Sequence, residues 1–186
     1  LIAQVFTGRE RFEPGNPQEG YSPSPQERQS WLQISYMKEA YHTMGPKFTL
    51  GWMAEALYSS KNFSENYTAT MMQAGEFAPT PHSKLMYNEA FRANQYVAAG
   101  IKPIYVLNDM FQFRTEFYGF TPIFPIKKNA LNKAYYGKAF SRFEYMGEVS
   151  VICHLPFGAI SAYVNHYSSP KREWNVGLSI GWQLFN

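Results

Sequence analysis

The chain has 186 residues, a formal net charge of +3 and a single cysteine, Cys153. This length is enough for one domain, and the mild charge gives no support to nucleic-acid binding. One cysteine excludes an internal disulfide and a cysteine-rich metal site. No apolar run of about 18 residues occurs, which excludes a transmembrane helix. Because the chain starts at Leu1 without an initiator methionine, we expect it to be the C-terminal piece of a longer protein.

Strand-like stretches alternate with turn chemistry in the first half of the chain. Four prolines and two glycines predict a loop over residues 13–28. Residues 83–90 fit either a helical turn or a folded loop. The stretches in which apolar and polar residues alternate, and which we therefore predict as strands, are residues 1–12, 30–43, 48–58 and, more weakly, 67–77.

The second half continues this pattern with four further predicted strands. In the first of them Gly100 and Pro103 indicate an edge, a bulge or a strand end. The long connection that follows residue 120 contains Lys127, Lys128, Lys133 and Lys138, which could contact anionic lipid head groups or belong to an ordinary solvated loop. The predicted strands are residues 91–106, 110–120, 141–153 and 159–167.

The C-terminal stretch has the clearest pattern, because apolar and small polar residues alternate in it without an error. Aromatic residues near both ends, with aliphatic residues between them, are typical of a strand whose outer face meets lipid. The alternative is a half-buried strand of a soluble sandwich. The residues that indicate the closing strand of an outer-membrane barrel are Trp174, Val176, Leu178, Ile180, Trp182 and the terminal aromatic Phe185.

These segments predict an all-β fold, an antiparallel meander of about eight to nine strands joined in hairpin order. We interpret residues 1–186 as a single β-barrel domain or half-barrel that forms the C-terminal half of a transmembrane β-barrel. Short turns and long loops alternate in the second half, as they do in outer-membrane barrels. In this strand count the proline-rich loop at residues 13–28 falls, awkwardly, on the short-turn side.

In the second half of the chain, the charged residues of the predicted strands fall on one face. An arginine or lysine at the lipid midplane costs about 2–4 kcal/mol, so in a barrel wall this face must line an aqueous lumen. A soluble sandwich would show the same separation, so the pattern sets the orientation in either fold without choosing between them. The predicted lumen-facing charges are Arg114, Glu116, Arg142, Glu144 and Glu148.

Three segments and the terminal strand resemble a known family. The segments are FAPTPHSKLMYNEAFRANQYVAAGIKPIY at residues 77–105, FRTEFYGFTP at 113–122 and YMGEVSVICHLPFGAISAYVNHY at 145–167. They resemble the C-terminal barrel of bacterial patatin-like phospholipases, which belongs to the surface-antigen and outer-membrane assembly-factor superfamily. The resemblance covers residue 77 to the end well and the earlier residues only loosely.

The resemblance implies a location in the bacterial outer membrane and a role in anchoring or translocating an upstream patatin-like lipid acyl hydrolase domain. It implies three partners: outer-membrane lipid, the barrel assembly machinery and that upstream domain. In the family a long loop ahead of the last five strands folds into the lumen and carries an arginine, which Arg92 would match. Its carboxylate partner would be Glu116, although Ala93 and Glu116 depart from the family's usual glycine and aspartate. The alternative is that Arg92 and Glu116 are unrelated charges.

We expect no catalytic residue, metal or cofactor in this segment, because the serine nucleophile of a patatin-like parent would lie upstream. Two further functions remain open. A self-contained barrel of eight strands, acting as a pore or adhesin, predicts that the first strand pairs with the last. A soluble all-β binding module predicts that Trp52, Phe113 and Val149 converge on one interior.

Overall fold

The computed structural model describes residues 1–11, 28–64, 66–169 and 174–182. The strands in this part of the chain are β1 (Ile2–Arg11), β2 (Arg28–Thr43), β3 (Phe48–Ser59), β4 (Gly75–Glu76), β5 (Arg92–Ala93), β6 (Gln95–Val106), β7 (Phe111–Pro122), β8 (Ile126–Lys128), β9 (Ala134–Tyr136), β10 (Glu144–Leu155), β11 (Gly158–Tyr167) and β12 (Trp174–Trp182). One helix, α1 (Tyr67–Gln73), lies between β3 and β4, and single 3-10 turns occupy Ser83–Leu85 and Glu89–Phe91.

The long strands form one antiparallel sheet of eight strands in the order β1-β2-β3-β6-β7-β10-β11-β12. The all-β prediction is therefore confirmed, as is the antiparallel meander. The five strands predicted after residue 90 are β6, β7, β10, β11 and β12. Strands β1 and β12 form the two edges of the sheet, and no pairing joins them among the residues that the structure describes.

The prediction of a strand over residues 67–77 is wrong, because α1 occupies most of this segment. The side chain of Asn66 accepts a hydrogen bond from the backbone N–H of Ala69 at 2.8 Å, which caps the first turn. Met71 is fully buried against Ile126 and Ala74. None of the helices in the described ranges has the length and apolar character needed to cross a membrane.

Because no strand occupies residues 67–77, the short turns between the long strands all lie at one end of the sheet. The short-turn end comprises residues 44–47, 107–110 and 156–157, and the long-loop end is where the strands that flank residues 12–27, 60–94, 123–143 and 168–173 begin and end. Residues 12–27, over which a loop is predicted, lie outside the described residues. The proline-rich connection starts and ends at the long-loop end, because Arg11 pairs with Arg28. The predicted placement of this connection on the short-turn side is therefore wrong.

The two faces of the sheet differ in what covers them. Residues 60–94, which we call the insertion, fold back over one face, and this face is the inner face. Where the insertion covers β6, β7 and β10, alternate residues are buried on the inner face, whereas the residues between them are exposed or half-buried on the outer face. On the inner face the ring of Tyr118 lies against Gly100, where any side chain would collide with it.

Strand β6 is central, keeps one register with β7 and continues to Val106, so the prediction of an edge, a bulge or a strand end at Pro103 is wrong. Pro103 pairs with Leu50 of β3. On the other side, the ladder between β6 and β7 lacks pairs at Lys102 and Pro103 and resumes in the same register at Ile104. Proline has no N–H to donate, so the sheet accommodates it by leaving a gap in the ladder with β7.

Candidate functional site on the inner face of the sheet

An aromatic cluster fixes the insertion to the inner face. Phe77 of the insertion is 1% exposed, and its ring centre lies 5.9 Å from that of Phe120, 6.0 Å from that of Tyr118 and 6.2 Å from that of Tyr96. Phe91, near the end of the insertion, contacts the ring of Phe120 at 5.6 Å. Two aromatic residues of the insertion therefore pack onto rings supplied by β6 and β7.

A histidine ties the middle of the insertion to β11. Nδ1 of His82 lies 2.9 Å from the hydroxyl of Tyr167, and the His82 ring packs beside the rings of Tyr163 and Tyr167. Burial lowers the pKa of the His82 imidazole below its ordinary value. The folded protein therefore favours the neutral ring at this contact.

Because the fold favours the neutral imidazole of His82, we expect the protein to lose stability at mildly acidic pH. The pKa of His82 is lower in the folded protein than in the unfolded chain. Its contribution to the free energy of unfolding is therefore complete above the unfolded-state pKa of about 6.5 and is lost as the pH falls from there through the folded-state pKa. For one proton the slope is at most about 1.4 kcal/mol per pH unit. Unfolding followed at pH 7.5 and pH 5 should show this dependence, and His82→Phe should reduce it. An unchanged pH dependence in the variant would contradict the assignment.

Arg92 holds together two parts of the insertion. Its guanidinium forms an ion pair with Glu76, which lies directly opposite on the β4–β5 ribbon. Nη1 also donates to the backbone carbonyls of Met72 at 3.2 Å and Ala74 at 3.3 Å, which lie at the C-terminal end of α1. Arg92 thus neutralises the negative end of the helix and braces the ribbon.

The predicted pair between Arg92 and Glu116 is not present in the structure. Glu116 is 4% exposed and is bound by two neighbours on its own strand: Nε of Arg114 lies 2.8 Å from one carboxylate oxygen, and the hydroxyl of Tyr118 donates to the other. Alternate residues of one strand share a face, so these partners are nearer to Glu116 than the insertion is. The carboxylate that Arg92 reaches is Glu76, which sequence reasoning missed.

A double-mutant cycle distinguishes the two pairings. We expect Arg92→Gln and Glu76→Gln to couple by about 1–3 kcal/mol in the free energy of unfolding, because a charge-assisted hydrogen bond is lost once, not twice. Arg92→Gln and Glu116→Gln should add within about 0.5 kcal/mol. Chemical unfolding of the single and double variants measures both values. Strong coupling between Arg92 and Glu116 would restore the original prediction.

Between the insertion and the short-turn end, the inner face carries charged residues that pair along and across the strands. Lys102 forms an ion pair with Glu39, and the Tyr41 hydroxyl donates to the same carboxylate at 2.7 Å. Glu148 lies directly across from Glu116 and is 4% exposed. Arg114, Glu116 and Glu148 therefore lie on the inner face, in a lumen if the sheet forms a barrel.

Arg142 and Glu144 lie at the long-loop end, beside the insertion. Nη2 of Arg142 donates to the carbonyl of Ala90 at 2.9 Å, and its Nε lies 3.9 Å from the Glu144 carboxylate. The Ser168 hydroxyl donates to Glu144 at 2.5 Å. These two residues therefore connect the end of the insertion with the start of β10, whereas Glu148 lies deeper along the same strand.

The outer face presents the residues of the predicted closing strand. Trp174, Val176, Leu178 and Ile180 are between 64% and 80% exposed. Phe185 and the side chain of Trp182 lie outside the described residues. A row of ring contacts starts at Trp174 and crosses the neighbouring strands. Trp174 contacts His166, which stacks on Tyr145. Tyr145 in turn stacks on Phe117. We call this row the aromatic belt.

Phe113 and Val149 also lie on the outer face, where they are 39% and 42% exposed. Trp52 shares this face and lies under the ammonium group of Lys38, which is 5.4 Å from its ring centre. The described residues therefore contain no interior on which Trp52, Phe113 and Val149 converge. The buried rings belong to the opposite face.

The G-x-S-x-G spacing of a nucleophile elbow occurs once, at residues 177–181, and sequence reasoning overlooked it. The structure places it inside β12, where Ser179 pairs with Ser161 of β11. An elbow requires a sharp turn from a strand into a helix, so an extended strand cannot present this serine as a nucleophile. Within the described ranges, no group of three or more histidine, cysteine or acidic residues is arranged to hold a metal ion.

Comparison of the chain with protein-family models, with curated proteins and with solved structures gives no match.

Proposed function

We propose that this chain forms part of the wall of a transmembrane β-barrel in the bacterial outer membrane, where it anchors or translocates an upstream patatin-like lipid acyl hydrolase domain. The observation that carries the membrane part is the composition of the outer face. Across β3, β6, β7, β10, β11 and β12 this face has no aspartate, glutamate, lysine or arginine, whereas β1 and β2 place Arg9 and Lys38 on it. Its aliphatic and aromatic side chains are nevertheless exposed.

A water-facing surface of this extent would normally carry charges, since an exposed apolar area larger than a few hundred Å² marks an interaction site. On the inner face, by contrast, the charged side chains are paired or covered. This arrangement inverts the usual soluble sheet, in which the apolar face is covered and the charged face meets solvent. It therefore supports contact between the outer face and acyl chains.

Strand length supports the same proposal. A strand rises about 3.3 Å per residue, so 12 residues tilted by about 40° reach across an apolar band about 25 Å tall. Strands β3, β6, β7 and β10 each have 12 residues. The aromatic belt lies toward the long-loop ends of β7, β10, β11 and β12, as rings at one membrane interface would.

The insertion favours a wider barrel over the alternative of a self-contained barrel of eight strands. The interior of an eight-stranded barrel is just wide enough for its own side chains. Here the inner face must also hold residues 60–94, which include α1, and an α-helix with its side chains is about 10–12 Å across. We infer that further strands pair with β1 and β12, because a backbone edge left unpaired in lipid is not tolerated.

The assignment of an upstream lipid acyl hydrolase rests on the family resemblance of residues 77–186. In this proposal the catalytic site lies in the upstream domain, and the chain serves as anchor or conduit. Outer-membrane lipid and the barrel assembly machinery are the corresponding partners, and no cofactor is proposed.

Detergent partitioning tests the membrane proposal directly. The chain, extracted from cell envelopes, should remain with the detergent phase and should aggregate when detergent is withdrawn. A monomer that stays soluble without detergent would contradict the proposal and favour the soluble binding module.

A further inference from the structure

The connection between β7 and β10 has an unusual charge composition. From residue 117 to residue 143 the sequence contains no aspartate or glutamate. The four lysines of this connection, Lys127, Lys128, Lys133 and Lys138, are all exposed. None of them lies within 4.0 Å of a carboxylate in the part of the chain that is described. The connection is therefore a positive surface without internal compensation.

This surface has a defined shape, because the connection is folded against the insertion. Strands β8 and β9 pair as a ribbon, and Ile126 of this ribbon is 2% exposed among Met71 and Ala74. The loop at the tip closes on Asn129, whose side-chain oxygen accepts the N–H groups of Leu131 and Lys133 at 3.0 and 2.8 Å. Lys127, Lys128 and Lys133 therefore lie on one folded ribbon, and Lys138 follows at its base, where the N–H of Gly137 donates to the carbonyl of Pro125.

Apolar side chains stand beside these lysines. Leu131, Phe140 and Phe143 are 78%, 63% and 62% exposed. The ring of Phe143 also covers Gly119 on the outer face, at 3.0 Å from the position that a Cβ atom would take. The basic surface is therefore continuous with the aromatic belt and with the face that we propose to meet acyl chains.

We propose that residues 123–143 are a docking surface for anionic phospholipid head groups in the leaflet at the long-loop end. This inference rests on the proposed membrane function, because the leaflet would surround the aromatic belt. Lysine ammonium groups are compact charges that bind phosphate, and exposed rings beside them enter the interface between head groups and acyl chains. A soluble polyanion would use the lysines alone, so the adjoining Phe140 and Phe143 favour a lipid.

The test compares two lipids on the full chain in non-ionic micelles, with native mass spectrometry as the readout. Phosphatidylglycerol should bind more tightly than phosphatidylcholine, and high salt should reduce the difference by screening. The triple variant K128Q/K133Q/K138Q should weaken phosphatidylglycerol binding at least tenfold and leave phosphatidylcholine unchanged. Lys127 is retained because its stem packs against Gly137.

The control is K47Q/K84Q, which removes two exposed lysines that lie outside the strands of the sheet. An unchanged lipid preference in the first variant, or an equal loss in the control, would overturn the inference. A chain that partitions with detergent but shows no preference contradicts this inference alone. A chain that is soluble without detergent contradicts the membrane proposal, even where the three lysines still select the anionic lipid.

A second variant separates lipid from a soluble polyanion. Phe140 has a φ of +51°, a conformation that asparagine tolerates, so Phe140→Asn removes the ring and preserves the backbone. We expect several-fold weaker binding of phosphatidylglycerol and no change in the binding of inorganic polyphosphate. Two results together would overturn the inference: polyphosphate binds as tightly as the lipid, and F140N leaves phosphatidylglycerol binding unchanged. The surface would then bind a soluble anion.

Discussion

Leu178→Arg should lower the free energy of unfolding in lipid vesicles by about 2–4 kcal/mol, the cost of an arginine at the lipid midplane. Leu178 is 76% exposed and lies midway along β12, with no packed core to lose. In water the same substitution should change stability by no more than about 0.5 kcal/mol, as at most surface positions. The size of the loss therefore shows whether the outer face contacts lipid or water. Chemical unfolding in vesicles measures it.

Ser179→Arg is the control for this experiment, because Ser179 is the next residue of the same strand, is also exposed, and points to the inner face. Its effect should stay below about 1 kcal/mol, since the charge would enter an aqueous space. Equal effects of the two substitutions would mean that both faces meet the same solvent, and the membrane proposal would then fail.

Phe77→Ala should release the insertion from the inner face at a cost of about 3–5 kcal/mol, the range for truncating a buried phenylalanine. Phe77 contacts three aromatic rings of β6 and β7, so its loss leaves a cavity at the centre of the cluster. We expect hydrogen exchange to accelerate in residues 60–94 and to change little in β10 and β11. This pattern would show local opening of the insertion while the sheet persists.

Met72→Ala serves as the matched control within the insertion. Met72 lies on α1, and its side chain is 67% exposed, so truncation removes little buried surface. Its effect should remain within about 0.5 kcal/mol. Comparable acceleration of exchange in both variants would mean that the aromatic cluster does not hold the insertion in place.

The long strands could be read from the sequence because each has a strict period of two. In β12 the alternation of Trp174, Val176 and Leu178 with small residues corresponds to one exposed outer row, and the predicted charges of β7 and β10 correspond to one inner row. This alternation does not show which face meets lipid and which meets water, because a soluble sheet separates apolar from polar residues in the same way. The packing of Phe77 of the insertion against rings of β6 and β7 shows which face is covered.

Short elements are where the sequence failed. Seven residues make about two turns of helix, too few for the helical period to exceed an alternation such as that of Tyr67, Ala69 and Met71. The partner of Arg92 depended on the β4–β5 ribbon, whose strands have two residues each and no pattern of their own. The capping side chain of Asn66 was the one local signal that could have indicated α1.

The docked insertion also constrains the order in which the protein can assemble. Strands β3 and β6 are neighbours in the sheet although residues 60–94 separate them, so their pairing closes a long loop and carries a larger entropic cost than a two-residue hairpin. The aromatic cluster of Phe77 helps to offset that cost. Any strands that join β1 and β12 would confine the inner face, so the insertion meets less obstruction if it docks while the sheet is still open. In that order of assembly, an insertion machine would receive a sheet that is already filled.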